Sequence, residues 1–221
     1  MCFYTSKSKL PLVLFLLFCN FVAGAEVTED KYLSYVADQD IYRAFSMGSE
    51  FWLWGVNFRR GVTSSRRCTL FRIHDLFEDG MNYTSHYLVG EKWEEMKYHG
   101  QFYKTEVVDG TGIKTRETYN AMNASKTTEE WHPRTYILLY SDYTDCLLLN
   151  VPEVAKGTAC MVLVINPPVS TTEMPKSCKN IFDLFCNYGT YEQIYESSCT
   201  EPPKTFFKEL ASDPDILDMV T

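Results

Sequence analysis

The sequence predicts an all-β fold, an antiparallel barrel or sandwich, preceded by a short helical turn and followed by one amphipathic helix. Three observations lead there. Short runs rich in β-branched and aromatic residues recur through residues 51–165 with turn residues between them. Aromatic residues make up 15% of the chain, enough to line a large apolar interior. The hydrophobic period changes from strand-like to helix-like beyond Asn166-Pro167-Pro168.

At the N-terminus, Lys7 and Lys9 precede an apolar run over residues 10–19 and the small residues Ala23-Gly24-Ala25, which is the pattern of a secretory signal peptide over residues 1–25. The run falls short of the ~20 apolar residues that span a bilayer, so no membrane partner is expected. Removing it deletes two lysines and no acids and takes the formal net charge from −8 to −10. An acidic chain argues against nucleic acid, whose phosphates seek basic faces. Residues 26–199 suit one domain, and residues 200–221, with five acids, two lysines and three prolines, read as an acidic flexible tail.

The elements follow in order. Asp38 reads as the cap of a short helix carrying Ile41, Tyr42 and Phe45. Residues 51–58 (FWLWGVNF) form a strand with Trp52, Trp54, Val56 and Phe58 on one face. Residues 68–74 and 83–89 are further strands by composition, whereas residues 91–97 (EKWEEMK) read as a solvated surface segment. Asp109-Gly110 between apolar residues marks a tight hairpin over residues 107–113. Strands are expected again at residues 134–140, 146–151 and 158–165. Behind Pro175, the spacing of Cys178, Ile181, Phe182 and Phe185 predicts an amphipathic helix ending near residues 187–189.

Six cysteines remain beyond the signal peptide, namely Cys68, Cys146, Cys160, Cys178, Cys186 and Cys199, and in a secretory context they read as three disulfides with ~15 possible connectivities. No C-x₂-C pair supports a metal site, and nothing points to a cofactor. The sequons at Asn82 and Asn123 predict glycosylation. Enzymatic activity is not expected: the sequence holds no G-x-S-x-G elbow, no H-E-x-x-H pair and no phosphate-cradling glycine loop, and His74, His86, His99 and His132 stand in unrelated contexts.

Gln39-Asp40-Ile41-Tyr42, Tyr140-Ser141-Asp142 running into Cys146, Cys178-x-x-x-Phe182, and Ile194-Tyr195 before Cys199 occur in an order that resembles the salivary lipocalins of ticks, the histamine-binding family. The likeness runs from about Gln39 to Cys199. It implies a lipocalin-like antiparallel eight-stranded barrel. It also implies that Cys68 pairs with Cys199 and Cys146 with Cys178, leaving Cys160 for Cys186.

The same resemblance implies a ligand-sequestering role. That family binds its amine with an acid directly after the strand cysteine and a Glu-Leu-Trp on the next strand; here those positions hold Leu147, and Met161 and Leu163. Two carboxylates have become aliphatic, and a tyrosine of the first strand appears as Phe58. A buried cation needs a carboxylate partner, so an amphipathic lipid, a fatty acid or leukotriene, is expected in preference to a biogenic amine. Trp52, Trp54, Phe58, Leu147, Met161 and Leu163 are the candidate lining residues, and Arg59, Arg72, His74 and His86 the candidate anchors for an acid group. The alternative from another class is a scaffold whose outer loops engage a host plasma protein.

Overall fold

The computed structural model describes residues 38–109, 112–167 and 173–203. The expected signal peptide and all but the first residues of the expected acidic tail lie outside the described residues. Helix α1 (Ile41–Phe45) comes first, capped by Asp40, whose carboxylate accepts from the Arg43 amide at 2.9 Å. The cap is therefore Asp40 rather than Asp38. Strands β1 (Glu50–Val56), β2 (Arg66–Phe77), β3 (Gly80–Val89) and β4 (Lys92–Tyr103) follow as an antiparallel meander. The hairpin β5 (Glu106–Asp109) and β6 (Gly112–Thr115) forms a sheet of its own. Strands β7 (Ala121–Lys126), β8 (Arg134–Ser141), β9 (Cys146–Val151) and β10 (Ala159–Val164) complete the wall.

Strand β10 pairs back onto β1, which closes an eight-stranded antiparallel barrel from β1–β4 and β7–β10. Helix α2 (Lys176–Phe185), preceded by Pro175, and the short strand β11 (Glu192–Gln193), paired with β1, lie outside it. Helix α1 plugs one end: Phe45 meets Phe51 edge-on at 5.4 Å and stacks on Phe102 at 6.3 Å. Loops 57–65, 90–91, 127–133 and 152–158 gather at the opposite, far end, as the antiparallel order requires.

Two elements depart from expectation. Residues 91–97 face solvent as expected, but residues 92–97 do so as the first half of β4, and β7 (AMNASK) carried no strand signal. The Asp109-Gly110 hairpin stands outside the barrel instead of joining two of its strands.

The wall of the barrel divides two apolar layers. Inside, Phe51, Leu53, Val56, Leu147, Leu149 and Leu163 belong to one cluster; outside, Trp52, Trp54, Cys146, Leu148, Cys160, Val162 and Val164 pack with Cys178, Ile181 and Phe182 of α2. Strict alternation along β1 would turn Gly55 inward, but a bulge between Leu53 and Gly55 shifts the register and brings Val56 in opposite Met161. A Cβ at Gly55 would come within 2.6 Å of the Tyr191 hydroxyl, so a side chain at that bulge would push the Tyr191 ring aside.

Cys146–Cys178 and Cys160–Cys186 tie α2 to β9 and β10, and Cys68–Cys199 ties the C-terminal segment to β2. Asn57 completes this junction: its buried side chain accepts from the Cys160 amide at 2.6 Å and donates to the carbonyls of Thr158 and Cys186 at 2.9 and 2.8 Å. Truncation strands three backbone groups. Asn57→Ala is expected to destabilise by about 2–4 kcal/mol, a drop in melting temperature of roughly 5–15 °C for a chain of this size, measured by thermal unfolding monitored by circular dichroism.

Candidate functional site

The interior cavity is lined by Phe45, Phe51, Phe71, Ile73, Met81, Tyr83, Met122, Tyr136, Leu149, Met161 and Leu163. The space it encloses is small, about 30 Å³, because the aromatic side chains fill most of the barrel. That is room for the centres of about two water-sized bodies. No Asp or Glu is buried among the described residues. The polar groups in the lining are the phenols of Tyr83 and Tyr136, and Tyr98 stacks on Tyr83 at 5.1 Å with the planes 10° apart. Burial pushes the Tyr136 phenol up to about 12 and that of Tyr83 well above its ordinary value, so both are protonated at physiological pH.

Of the six residues expected to line the site, Met161 and Leu163 do so. Leu147 faces the same interior but lies off the cavity, and Phe58 packs at the edge of the inner cluster beyond the end of β1. Trp52 and Trp54 do not line the cavity: they point through the opposite face of β1, where Trp54 stacks on Tyr195 and Trp52 meets it edge-on, each at 5.3 Å, beside α2. Both faces of that strand are buried, so alternation alone could not say which face looks inward. Nine lining residues were missed. Leu149 follows from Leu147 by the two-residue period, and Phe51 from placing the tryptophans outside.

The expected anchors do not reach the cavity either. Arg72, His74 and His86 stand on the outer wall: Leu70, the cross-strand neighbour of His86, packs in the outer cluster, while Phe71 and Ile73 take the inward positions of β2. Arg72 binds Glu50 at 2.6 Å, and His74 shares a 2.7 Å hydrogen bond with Thr84. Arg59 is exposed in the loop that follows β1. Asn82 and Asn123 also face outward, with Asn82 donating to Asp75 and Asn123 accepting from Thr135. Among the described residues no cluster of His, Cys, Asp or Glu could hold a metal ion, and no helix is long and apolar enough to cross a membrane.

The tick histamine binding protein family matches residues 29–201, most of the chain. The chain belongs to that family. Three disulfides fit an oxidising, extracellular setting for such a member. Among solved structures it is similar to AM182 in its serotonin complex, with a TM-score of 0.52 and 12% identity over 74% of this chain and 94% of that one. It is also similar to Japanin from Rhipicephalus appendiculatus bound to cholesterol, with a TM-score of 0.46 and 13% identity over 67% and 93% of the two chains. Apocrustacyanin C2 follows with a TM-score of 0.48 and 11% identity over 76% and 86%. No curated protein sequence matches the chain.

His86 offers a test of the outer wall. It is 3% exposed, its Nδ1 lies 3.6 Å from Glu95, and its buried Nε2 has no hydrogen-bond partner. Burial first, then the nearby Arg72 and His74, lower its pKa to about 4, against the opposing pull of Glu50. The ring is thus neutral in the folded protein, and an unfolded chain takes up a proton near pH 6.5 that the folded one refuses. The stability this contributes is complete above pH 6.5 and is lost as pH falls towards 4. Relative to His86→Phe, the wild-type protein is expected to lose up to about 3 kcal/mol across that window in denaturant titrations at a series of pH values.

Proposed function

We propose that this lipocalin is secreted and withdraws a small host mediator by enclosing it in the barrel, and that the mediator is an amphipathic lipid acid, a fatty acid or a leukotriene, not histamine. The observation that carries the reading is the uncharged interior: an apolar lining with protonated phenols and no buried carboxylate among the described residues. An ammonium ion moved there would lose its hydration with nothing to offset it, whereas each buried methylene of a lipid gains ~0.8 kcal/mol. Three methionines in the lining, Met81, Met122 and Met161, are the flexible side chains that can move aside for a bulky tail. No catalytic step is involved.

The small enclosed space favours a second reading, in which the barrel is a filled scaffold and the outer loops engage a host plasma protein. Calorimetric titration separates the two. Palmitic acid, arachidonic acid and a leukotriene are expected to give saturable binding, and histamine and serotonin none. Submicromolar histamine binding would sink the lipid reading; no binding by any small molecule, together with capture of a plasma protein, would establish the scaffold. Tryptophan quenching is the wrong reporter, because Trp52 and Trp54 lie outside the barrel.

Restoring the family's acids gives a further check. Leu147→Asp with Met161→Glu is expected to destabilise by at least about 3 kcal/mol in thermal or denaturant unfolding, because both carboxylates enter an apolar interior without partners. Added histamine should recover part of that loss if the barrel admits a ligand.

A further inference from the structure

Tyr83 is 6% exposed, lines the cavity, and makes no hydrogen bond among the described residues. A buried phenol ordinarily finds a partner, since leaving the hydroxyl dry and unpaired is unfavourable. Its ring has little freedom to seek one elsewhere: Tyr98 stacks on one face and Phe71 meets it edge-on at 6.0 Å. The ring is thus held in place against the cavity that it lines.

Tyr136 shares the lining. Arg134, at the far-end start of β8, stands two residues before Tyr136 on the same face of the strand. Tyr98 is the cross-strand neighbour of Tyr83, and Tyr136 lines the same cavity, which gathers the three phenols on the inner wall. Burial keeps the Tyr83 and Tyr136 phenols protonated, and no buried carboxylate competes for their protons.

We propose that Tyr83 and Tyr136, with Tyr98 stacked behind them, form the hydrogen-bonding end of the cavity and receive an oxygen acceptor, a carboxylate or a carbonyl, on an otherwise apolar ligand. The inference rests on the barrel being a ligand site and names the recognition element that the outer-wall Arg72, His74 and His86 cannot supply. Arg134 behind Tyr136 adds positive potential at that end and favours the carboxylate. An ammonium group would meet donors facing donors.

The test uses the full-length secreted protein, arachidonic acid and its methyl ester as probes, and the variants Tyr83→Phe, Tyr136→Phe and the double substitution. Each single substitution is expected to weaken the acid about tenfold, the loss of one hydrogen bond to a charged acceptor. Tyr83→Phe should leave the melting temperature of the free protein unchanged or higher, since it removes an unpartnered hydroxyl. A drop instead would show an internal partner and overturn the proposal. If acid and ester bind wild type alike and both weaken in the variants, the acceptor is a carbonyl; if the acid alone weakens, it is a carboxylate. Either result supports the site. Wild-type binding that neither substitution changes overturns this inference while leaving the lipid reading intact, and failure of wild type to bind either probe removes both.

Discussion

Closure of the barrel through the β1–β10 pairing is the constraint on which the rest depends. Without it, β1 and β10 would each present an unpaired edge, and there would be no inside to be apolar. Closure alone does not hold the seam. Strands β9, β10 and β1 carry apolar residues on both faces, and the outward set is buried because α2 covers it. Two disulfides from adjacent strands fix that helix, and Asn57 bonds backbone on either side of the Cys160–Cys186 bridge. The seam, the helix and the staples form one unit.

That arrangement explains what the sequence revealed. Strands β9 and β10 were legible because double-sided burial writes itself as short continuous apolar runs such as CLLLNV. The same double burial hid the orientation of β1: Trp52 and Trp54 look like an inward pair until α2 is known to cover their face. Strand β4 was concealed by Glu94, Glu95 and Lys97, charges that an antiparallel strand tolerates where it meets solvent. Strand β7, built of Ala, Asn and Ser, is a strand because β4 and β8 pair with it on both sides, and intrinsic preference had no part in it. The disulfide pairing came from the family resemblance, since spacing alone leaves every connectivity open.

The candidate site was half legible for a related reason. Replacement of acids by Leu147 and Met161 told what the interior lacks, and Met161 and Leu163 marked one wall of the cavity. What the interior possesses lay on strands where pattern was weak. Tyr83 belongs to a run, YTSHYLV, in which inward Tyr83, Ser85 and Tyr87 are no more apolar than outward Thr84 and His86. A polar residue on an inner face breaks the alternation that sequence reading relies on, so the residues best suited to contact a ligand are the ones the pattern obscures.

Charge placement then constrains what the barrel can accept. Arg72 with Glu50 and His86 beside Glu95 lie on the outer wall, and buried Arg60 is held by Glu192 of β11 while donating to the Arg66 carbonyl. The Arg72–Glu50 and Arg60–Glu192 pairs lock strands and loops together without placing a formal charge in the interior, and the neutral His86 adds none. The proposed lipid acid would therefore keep its charged group at the phenols, towards the far end, where Arg66 lies over the Tyr87 ring at 3.8 Å and Arg134 stands at the start of β8. Its apolar body would extend past the phenols towards Phe45 and Phe51 at the plugged end. Under the proposed reading such an arrangement would select for polarity at one end and length, and only loosely for shape, because the methionines that would give way impose no rigid outline.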